Sequence, residues 1–252
     1  MKIELDAVTK GQRDTALPVT SVTFGTGSAT LARAETEQRP TVLGLIASGR
    51  MRPDDGAVTI DGCVDYARMR TRIALIDAPE VCEPASNVTV AGVTAEELMF
   101  AGRRSHPLAV MRMLRELGLS EYARQSIGTM PPTARVRLLC ELALLRSGVE
   151  GLVVVSPDRH GGDPSGWWAI AQELAARGLA VLVVAGDASA TAIAAGALVE
   201  RMQATERMQA TDSSTSGPQS MFDEDPSLDD TDEDSDDHDE GHDDDGDREV
   251  RA

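Results

Sequence analysis

Residues 30–62, TLARAETEQRPTVLGLIASGRMRPDDGAVTIDG, form the stretch that decides the fold of this chain. The short apolar segment 30–34 is typical of a strand, and the polar residues that follow it indicate a loop. Residues 41–49 carry apolar side chains at helical spacing, and Pro40 suits a first helical turn because its missing N–H has no partner there. The sequence RPDDG at 52–56 predicts a turn, after which AVTI begins another strand. We therefore predict a strand, a loop, a helix and a second strand in this order.

This order of elements resembles the start of an ABC-type ATPase domain, in which a glycine-rich loop leads into a helix. Laid over the pattern GxxGxGK[ST], residues 34–41 lack all three glycines, and Pro40 stands in the place of the lysine. The glycines let consecutive N–H groups surround phosphates, and the lysine reaches the terminal ones. Glu35 and Glu37 would instead face an anionic ligand. ATP and Mg are therefore implied only by the resemblance, and the residues left to contact them are Gln38, Arg39 and Thr41.

Two further landmarks of the family are present in outline but lack their functional groups. At the position of the signature sequence, Pro131 and Pro132 have no N–H to offer a phosphate. The apolar, β-branched strand 151–155 matches the Walker B strand and is typical of a buried parallel sheet. Ser156 replaces the metal-orienting aspartate that follows this strand in the family, and Pro157 replaces the glutamate that acts on water.

Three smaller differences from the family also argue against nucleotide binding and hydrolysis. Ala78 stands where the family has a glutamine, and Gly186 stands where it has a switch histidine. Residues 11–14 contain no aromatic side chain to stack on adenine, and base stacking is worth about 1–3 kcal/mol. The resemblance covers about residues 1–200. It implies a degenerate ATP-binding domain, and we assign no catalytic residue.

The predicted fold class is α/β, an ABC-ATPase-like P-loop NTPase fold. It has a parallel-sheet core, an antiparallel N-terminal β part and a helical subdomain near 84–146. The chain is expected to enter this subdomain at 87–90, and a capping-box pattern predicts a helix that starts at Thr94. The domain spans 1–210, and residues 211–252 are predicted to be a disordered acidic tail because they contain too little apolar surface to order themselves.

Charge is distributed very unevenly along the chain, which has 42 acidic and 24 basic residues among 252. Residues 212–252 hold 18 of the acidic residues against two arginines, which leaves 24 acidic and 22 basic residues in the rest. A near-neutral body is not typical of nucleic-acid binding, so we expect no nucleic-acid partner. Lys2 and Lys10 are the only lysines. This preference for arginine, with abundant Ala, Gly and Val, suggests GC-rich coding of the actinobacterial type.

The cysteines and the overall hydropathy indicate the compartment. Cys63, Cys82 and Cys140 lack metal-ligand spacing, so each is expected to be a small buried residue in a reducing compartment. The N-terminus has no signal-peptide pattern, and no apolar run approaches the roughly 18–20 residues of a membrane span. We expect a cytoplasmic protein, in a peripheral position at the inner face of the plasma membrane if it binds a membrane partner. His238 and His242 lie among aspartates that could bind cations, although a solvated tail is the simpler interpretation.

Large side chains in the helical segments allow two packing predictions. Met99, Met111 and Met113 are expected to fill the core, although such a surface could also receive a partner helix. Trp167 and Trp168 are adjacent on a helix, so only one of them should face the core.

Several functional hypotheses remain open. The first is a catalytically inactive subunit that associates with a membrane permease of the ABC-2 or phage-infection-protein-like type through the helices of 84–127, as a homo- or heterodimer. The second is residual ATP binding without efficient hydrolysis. The third is a soluble scaffold whose acidic tail recruits basic partners or cations. A hydrolase built on Ser156, Asp158 and His160 is also conceivable, but the GxSxG pattern of such enzymes is absent.

Overall fold

The computed structural model describes residues 1–35 and 39–215. The chain divides into two units, Met1–Glu206 and Arg207–Ala252. The first unit contains two sheets and the helices packed on them, and the described part of the second is the end of the last helix. Within the described ranges, no helix combines the length and the apolar character needed to cross a membrane.

The first sheet is antiparallel and contains the strands β1 (Lys2–Lys10), β2 (Leu17–Gly25) and β4 (Asp55–Ile60) in the order β2-β1-β4. Its inward side chains alternate along β1, with Ile3 and Leu5 buried on one face. Ala7 has a φ of 47°, and the register of β1 shifts on both sides at this point. This bulge shifts the alternation by one residue, so that the next buried apolar side chain is that of Val8.

The second sheet is parallel and contains β3 (Ser28–Arg33), β5 (Ile73–Ile76), β6 (Gly151–Val155) and β7 (Ala180–Ala185). The strand order is β3-β7-β6-β5, so β7 and β6 are the central strands. Every residue of these two strands is buried, as expected for apolar strands covered on both faces. The four parallel strands end at the same edge, which places the loops after them side by side.

Helix α1 (Arg39–Ala47) follows β3 and packs directly on the parallel sheet. Its Gly44 faces β6, where a Cβ atom would lie 2.6 Å from Val155 Cγ2 and 3.2 Å from Leu75 Cδ1. Real Cβ contacts are essentially never that short, so the close approach of α1 to the sheet requires a residue without a side chain. The strand, helix and second strand predicted from 30–62 are thus present, and residues 36–38 of the predicted loop lie outside the described residues.

Six more helices complete the described chain: α2 (Tyr66–Arg72), α3 (Val90–Phe100), α4 (Pro107–Glu116), α5 (Pro132–Ala143), α6 (Pro164–Ala176) and α7 (Asp187–Thr215). α3, α4 and α5 lie within the predicted helical subdomain. α7 includes residues 211–215, so helix continues past the predicted start of the tail at 211. Residues 216–252, including His238 and His242, lie outside the described residues.

The predicted start of α3 at Thr94 is wrong. The N-cap is Thr89, whose Oγ1 accepts a hydrogen bond from the Gly92 N–H at 3.1 Å. Thr94 is buried inside the helix, and its hydroxyl donates to the Val90 carbonyl at 2.8 Å. Val90 is buried as well, so packing begins the helix one turn before the sequence pattern suggested.

Two other packing predictions need correction. Cys63 and Cys82 are exposed, because they lie in the turns that follow β4 and β5, and only Cys140 is buried. Met99 is 59% exposed and is not part of the core. Met111 and Met113 are partly buried and pack against the core. The prediction for the tryptophans is confirmed: Trp167 is 1% exposed, and Trp168 is half-buried.

Candidate functional site

The carboxyl ends of the four parallel strands surround an open cleft of about 680 Å³. Residues from all four strand ends and from the start of α1 line it, which brings the predicted Walker A, Walker B and switch positions to one place. The lining residues are Ala34, Glu35, Pro40, Pro79, Glu80, Ser156, Asp158, Arg159 and Gly186. This is the location where open α/β sheets bind ligands.

The cleft has an acidic lining. Glu35, Glu80 and Asp158 contribute three carboxylates, and Arg159 is the only basic residue among the described residues that line the cleft. The guanidinium of Arg159 is already engaged: Nη1 donates to the carbonyl of Asp77 at 2.6 Å, and Nη2 donates to Glu83 Oε2 at 2.7 Å. The charge available to a ligand is therefore negative.

Two of these carboxylates bind the start of α7. Asp158 Oδ2 accepts hydrogen bonds from the Gly186 N–H at 2.8 Å and from Ser189 Oγ at 3.1 Å. Glu35 Oε1 accepts one from the Asp187 N–H at 2.7 Å. N–H groups at a helix start, together with the helix dipole, favour an anion. Here the protein supplies the anions itself, so these donors are not free for a phosphate.

Of the three predicted nucleotide contacts, the structure describes Arg39 and Thr41. Arg39 lines a separate cleft of about 270 Å³ with Glu35 and Asp187, and its Nε is buried without a hydrogen bond to a described residue. Thr41 is half-buried in the first turns of α1. Gln38 lies outside the described residues. At the lysine position, Pro40 adds an apolar ring to the larger cleft.

At the signature position, several N–H groups are already engaged or missing. Gly128 N–H donates to the Ser86 carbonyl at 3.0 Å, and Thr129 N–H donates to the Ser126 carbonyl at 3.0 Å. Pro131 is the residue that precedes α5, and it has no N–H to cap an anion. Pro131 and Pro132 thus remove two of the N–H groups that a phosphate site at a helix N-terminus would use.

A buried charge cluster next to the cleft was missed by sequence reasoning. Asp77 follows β5 with a φ of 57° and is 3% exposed. Arg135 on α5 binds both carboxylate oxygens, with Nε 2.9 Å from Oδ2 and Nη2 2.6 Å from Oδ1. Arg159 Nη2 lies 3.1 Å from Oδ1 and His160 Nε2 lies 3.0 Å from Oδ2.

Opposing effects set the ionisation of Asp77. Burial would raise the pKa of this carboxyl, but hydrogen bonds from Arg135 and His160 and the charge of Arg159 outweigh it. The net result is a pKa well below the ordinary value. Asp77 therefore stays ionised and joins β5, α5 and the turn after β6. An acidic residue that ends a buried strand was the only sequence signal for this cluster.

The geometry does not support the hydrolase alternative. Ser156 adopts a left-handed conformation with a φ of 46°, but its neighbours face other partners. His160 binds Asp77, and Asp158 binds the start of α7. Among the described residues, no group of three His, Cys, Asp or Glu side chains is placed to hold a metal ion.

Comparisons with solved structures identify the fold as that of ABC transporter cassettes. A bacterial ABC transporter cassette in a dimeric structure aligns with a TM-score of 0.55 and 18% identity over 73% of this chain and 88% of that one. A nucleotide-free ATP-binding cassette from an ABC transporter aligns with a TM-score of 0.53 and 17% identity over 74% and 82%. An ATP-binding cassette in its ADP conformation gives 0.51 and 17% over the same shares. No family model matches the sequence, and no curated protein does either.

The chain therefore has the ABC-ATPase P-loop fold, as its sequence predicts. The parallel core, the antiparallel sheet and the helices α3 to α5 together account for this assignment. At identities of 17–18%, the likeness defines the fold, and the function has to be argued from the site.

Proposed function

We propose that this chain is a catalytically inactive, ABC-cassette-like subunit that acts by binding a partner. The observation that carries this proposal is the negative cleft, in which Asp158 and Glu35 occupy the donors at the start of α7. Two like charges 4 Å apart repel by about 4 kcal/mol near a protein surface. One such contact with a phosphate would weaken binding about a thousandfold.

Hydrolysis lacks its chemical groups as well as its ligand. The Walker B position carries Ser156 and Pro157, and Pro157 begins a short 3-10 turn rather than presenting a carboxylate. A phosphoryl-transfer site needs positioned cations and a group that orients the attacking water. The one cation among the described residues that line the cleft, Arg159, is engaged by Asp77 and Glu83.

The proposed partner is a membrane permease of the ABC-2 or phage-infection-protein-like type, which would place the chain peripherally at the inner face of the plasma membrane. A groove of about 290 Å³ between the end of β5 and the helices α3 and α5 offers a contact surface. Val81 and Cys82 line one side and are exposed, and the Glu97–Arg146 ion pair at 2.9 Å lines the other. One of the similar solved structures, a bacterial ABC transporter cassette, is a dimer. Our proposal therefore includes pairing of this chain with a second cassette.

Maleimide labelling of the native cysteines tests the permease contact. Cys82 lies in the groove and Cys63 lies in the turn after β4, and both residues have exposed surface in the free protein. The Cys82 thiol donates to the Leu75 carbonyl at 3.5 Å, and burial raises its pKa, so its labelling is compared only between the free and bound protein. In a complex purified with the permease, labelling of Cys82 should fall at least severalfold while labelling of Cys63 stays unchanged, as read by mass spectrometry. Equal labelling of Cys82 in the free and bound protein would contradict the proposed groove.

Residual nucleotide binding is the second candidate, and one observation favours it. Arg39 Nε is buried without a hydrogen bond to a described residue, so it is a donor that a phosphate could satisfy. A phosphate-release assay separates the two candidates from an active enzyme, because both predict no turnover above a protein-free blank. The scaffold hypothesis rests on the acidic tail, which lies mostly outside the described residues.

A further inference from the structure

The connection between α3 and α4 forms a surface with an unusual composition, which we call the α3–α4 tip (residues 99–108). Three large apolar side chains are exposed there: Met99 at 59%, Phe100 at 64% and Leu108 at 78%. The connection of six residues between the helices keeps Phe100 and Leu108 at the same end of the helix pair. The buried faces of the two helices are already used, because Leu98 and Val110 point into the core.

Basic residues surround these apolar side chains. Residues 98–115 contain four arginines and no acidic residue, although the chain as a whole has a net charge of −18. Arg103 and Arg104 are exposed, and neither guanidinium pairs with another described residue. Arg112 and Arg115 follow Leu108 at i+4 and i+7. Arg112 pairs with Glu116 at 2.9 Å, so Arg115 is the residue that continues the basic surface along α4.

We propose that the α3–α4 tip binds the surface of a bilayer that contains anionic lipids. Exposed apolar side chains that enter the boundary between headgroups and acyl chains, beside arginines at headgroup level, are the combination that interfacial binding uses. Each arginine near an anionic surface strengthens binding about fivefold. At physiological ionic strength, the acidic residues of 212–252 repel an anionic surface only within about 8 Å. The local charge of the tip therefore decides whether the tip binds the bilayer.

The test is co-sedimentation of the full-length protein with vesicles of phosphatidylcholine alone or with one-third phosphatidylglycerol. This inference does not rest on the permease hypothesis, because the vesicles contain no protein. The protein should sediment with the anionic vesicles, should lose this binding as salt is raised, and should stay in solution with phosphatidylcholine alone. Arg103→Gln with Arg104→Gln should weaken binding about twenty-five-fold, and Phe100→Ser with Leu108→Ser should abolish it.

Matched control variants come from outside the tip. Arg124→Gln removes an exposed arginine near the opposite end of α3. The carbonyl of the preceding residue, Ala123, accepts a hydrogen bond from the Ala91 N–H in the first turn of α3, which fixes this location. Val64→Ser removes an apolar side chain that is 63% exposed. Both controls should bind like the wild type, and thermal melts should show that every variant is folded.

Three results would overturn the proposal. They are absence of binding to the anionic vesicles, equal binding to both kinds of vesicle, and equal losses in the tip and control variants. Retention on immobilised polyglutamate without binding to vesicles would assign the tip to an acidic protein partner and would overturn the lipid proposal as well.

Discussion

Replacing Asp77 by Asn should destabilise the fold strongly. The substitution keeps the shape of the side chain but removes the charge that Arg135, Arg159 and His160 share in a buried setting. The side chains of Asp77 and Arg135 are 1% and 3% exposed, so the guanidinium would be left without its counter-ion. Breaking a buried ion pair by removing one partner costs about 3–5 kcal/mol.

Thermal unfolding measures this loss, with the fluorescence of Trp167 and Trp168 as the probe. For a domain of this size, about 2–4 °C in Tm accompanies each kcal/mol, so Asp77→Asn should lower Tm by about 6–20 °C. The matched control is Glu173→Gln. Glu173 forms an ion pair with Arg137 through two hydrogen bonds, and the Glu173 side chain is 50% exposed. An exposed pair contributes at most about 1 kcal/mol. Equal losses in the two variants would refute the reasoning.

Acid titration checks the same cluster in a second way. The pKa of Asp77 is lowered in the folded protein, so its contribution is fully present above the ordinary value of 3.8 and is lost as the pH falls below it. The stability gap between wild type and Asp77→Asn should therefore be constant near neutral pH. Below pH 3.8 it should shrink by about 1.4 kcal/mol per pH unit. A gap that stays constant down to pH 2 would contradict an ionised Asp77.

Three further predictions follow from single contacts. Gly44→Ala should lower the free energy of unfolding by about 1–3 kcal/mol, because the new Cβ would meet Val155 Cγ2 at 2.6 Å. The same change in an exposed helix is stabilising, so urea denaturation, which shows whether stability falls or rises, checks the prediction. Thr89→Ala should cost about 1 kcal/mol through loss of the α3 N-cap, and an equal loss in an exposed threonine control such as Thr15→Ala would contradict this role. Pro40→Lys, with glycines restored at 34, 37 and 39, should yield no phosphate release, since Ser156 and Pro157 still replace the two Walker B carboxylates; turnover would show that these positions are misaligned.

The sequence predicted the order of strands and helices well because each element is encoded locally. Apolar β-branched runs such as 151–155 and 180–184 have few alternatives to a buried strand, and the structure places both at the centre of the parallel sheet. The start of α3 shows the limit of such patterns. Both Thr89 and Thr94 are good N-cap residues, and the burial of Val90 decides between them.

The chemistry of the cleft was only partly predictable. Loss of the family's phosphate-binding groups is visible residue by residue, but the replacement contacts join distant segments: Glu35 reaches Asp187, and Asp77 reaches Arg135 and His160. No local pattern links residues so far apart in the sequence. Met99 illustrates the same point, because its apolar character suggested the core and its position at the α3–α4 tip exposes it.

Equilibrium titration of the full-length protein with Mg-ATP tests the central claim most directly. With Glu35 and Asp158 bound to the start of α7 and Pro40 in the place of a lysine, no saturable binding should occur below about 1 mM, an affinity that would require about 4 kcal/mol of net interaction. Saturable binding at micromolar concentrations, lost on Arg39→Ala, would contradict the account and restore a nucleotide-dependent function.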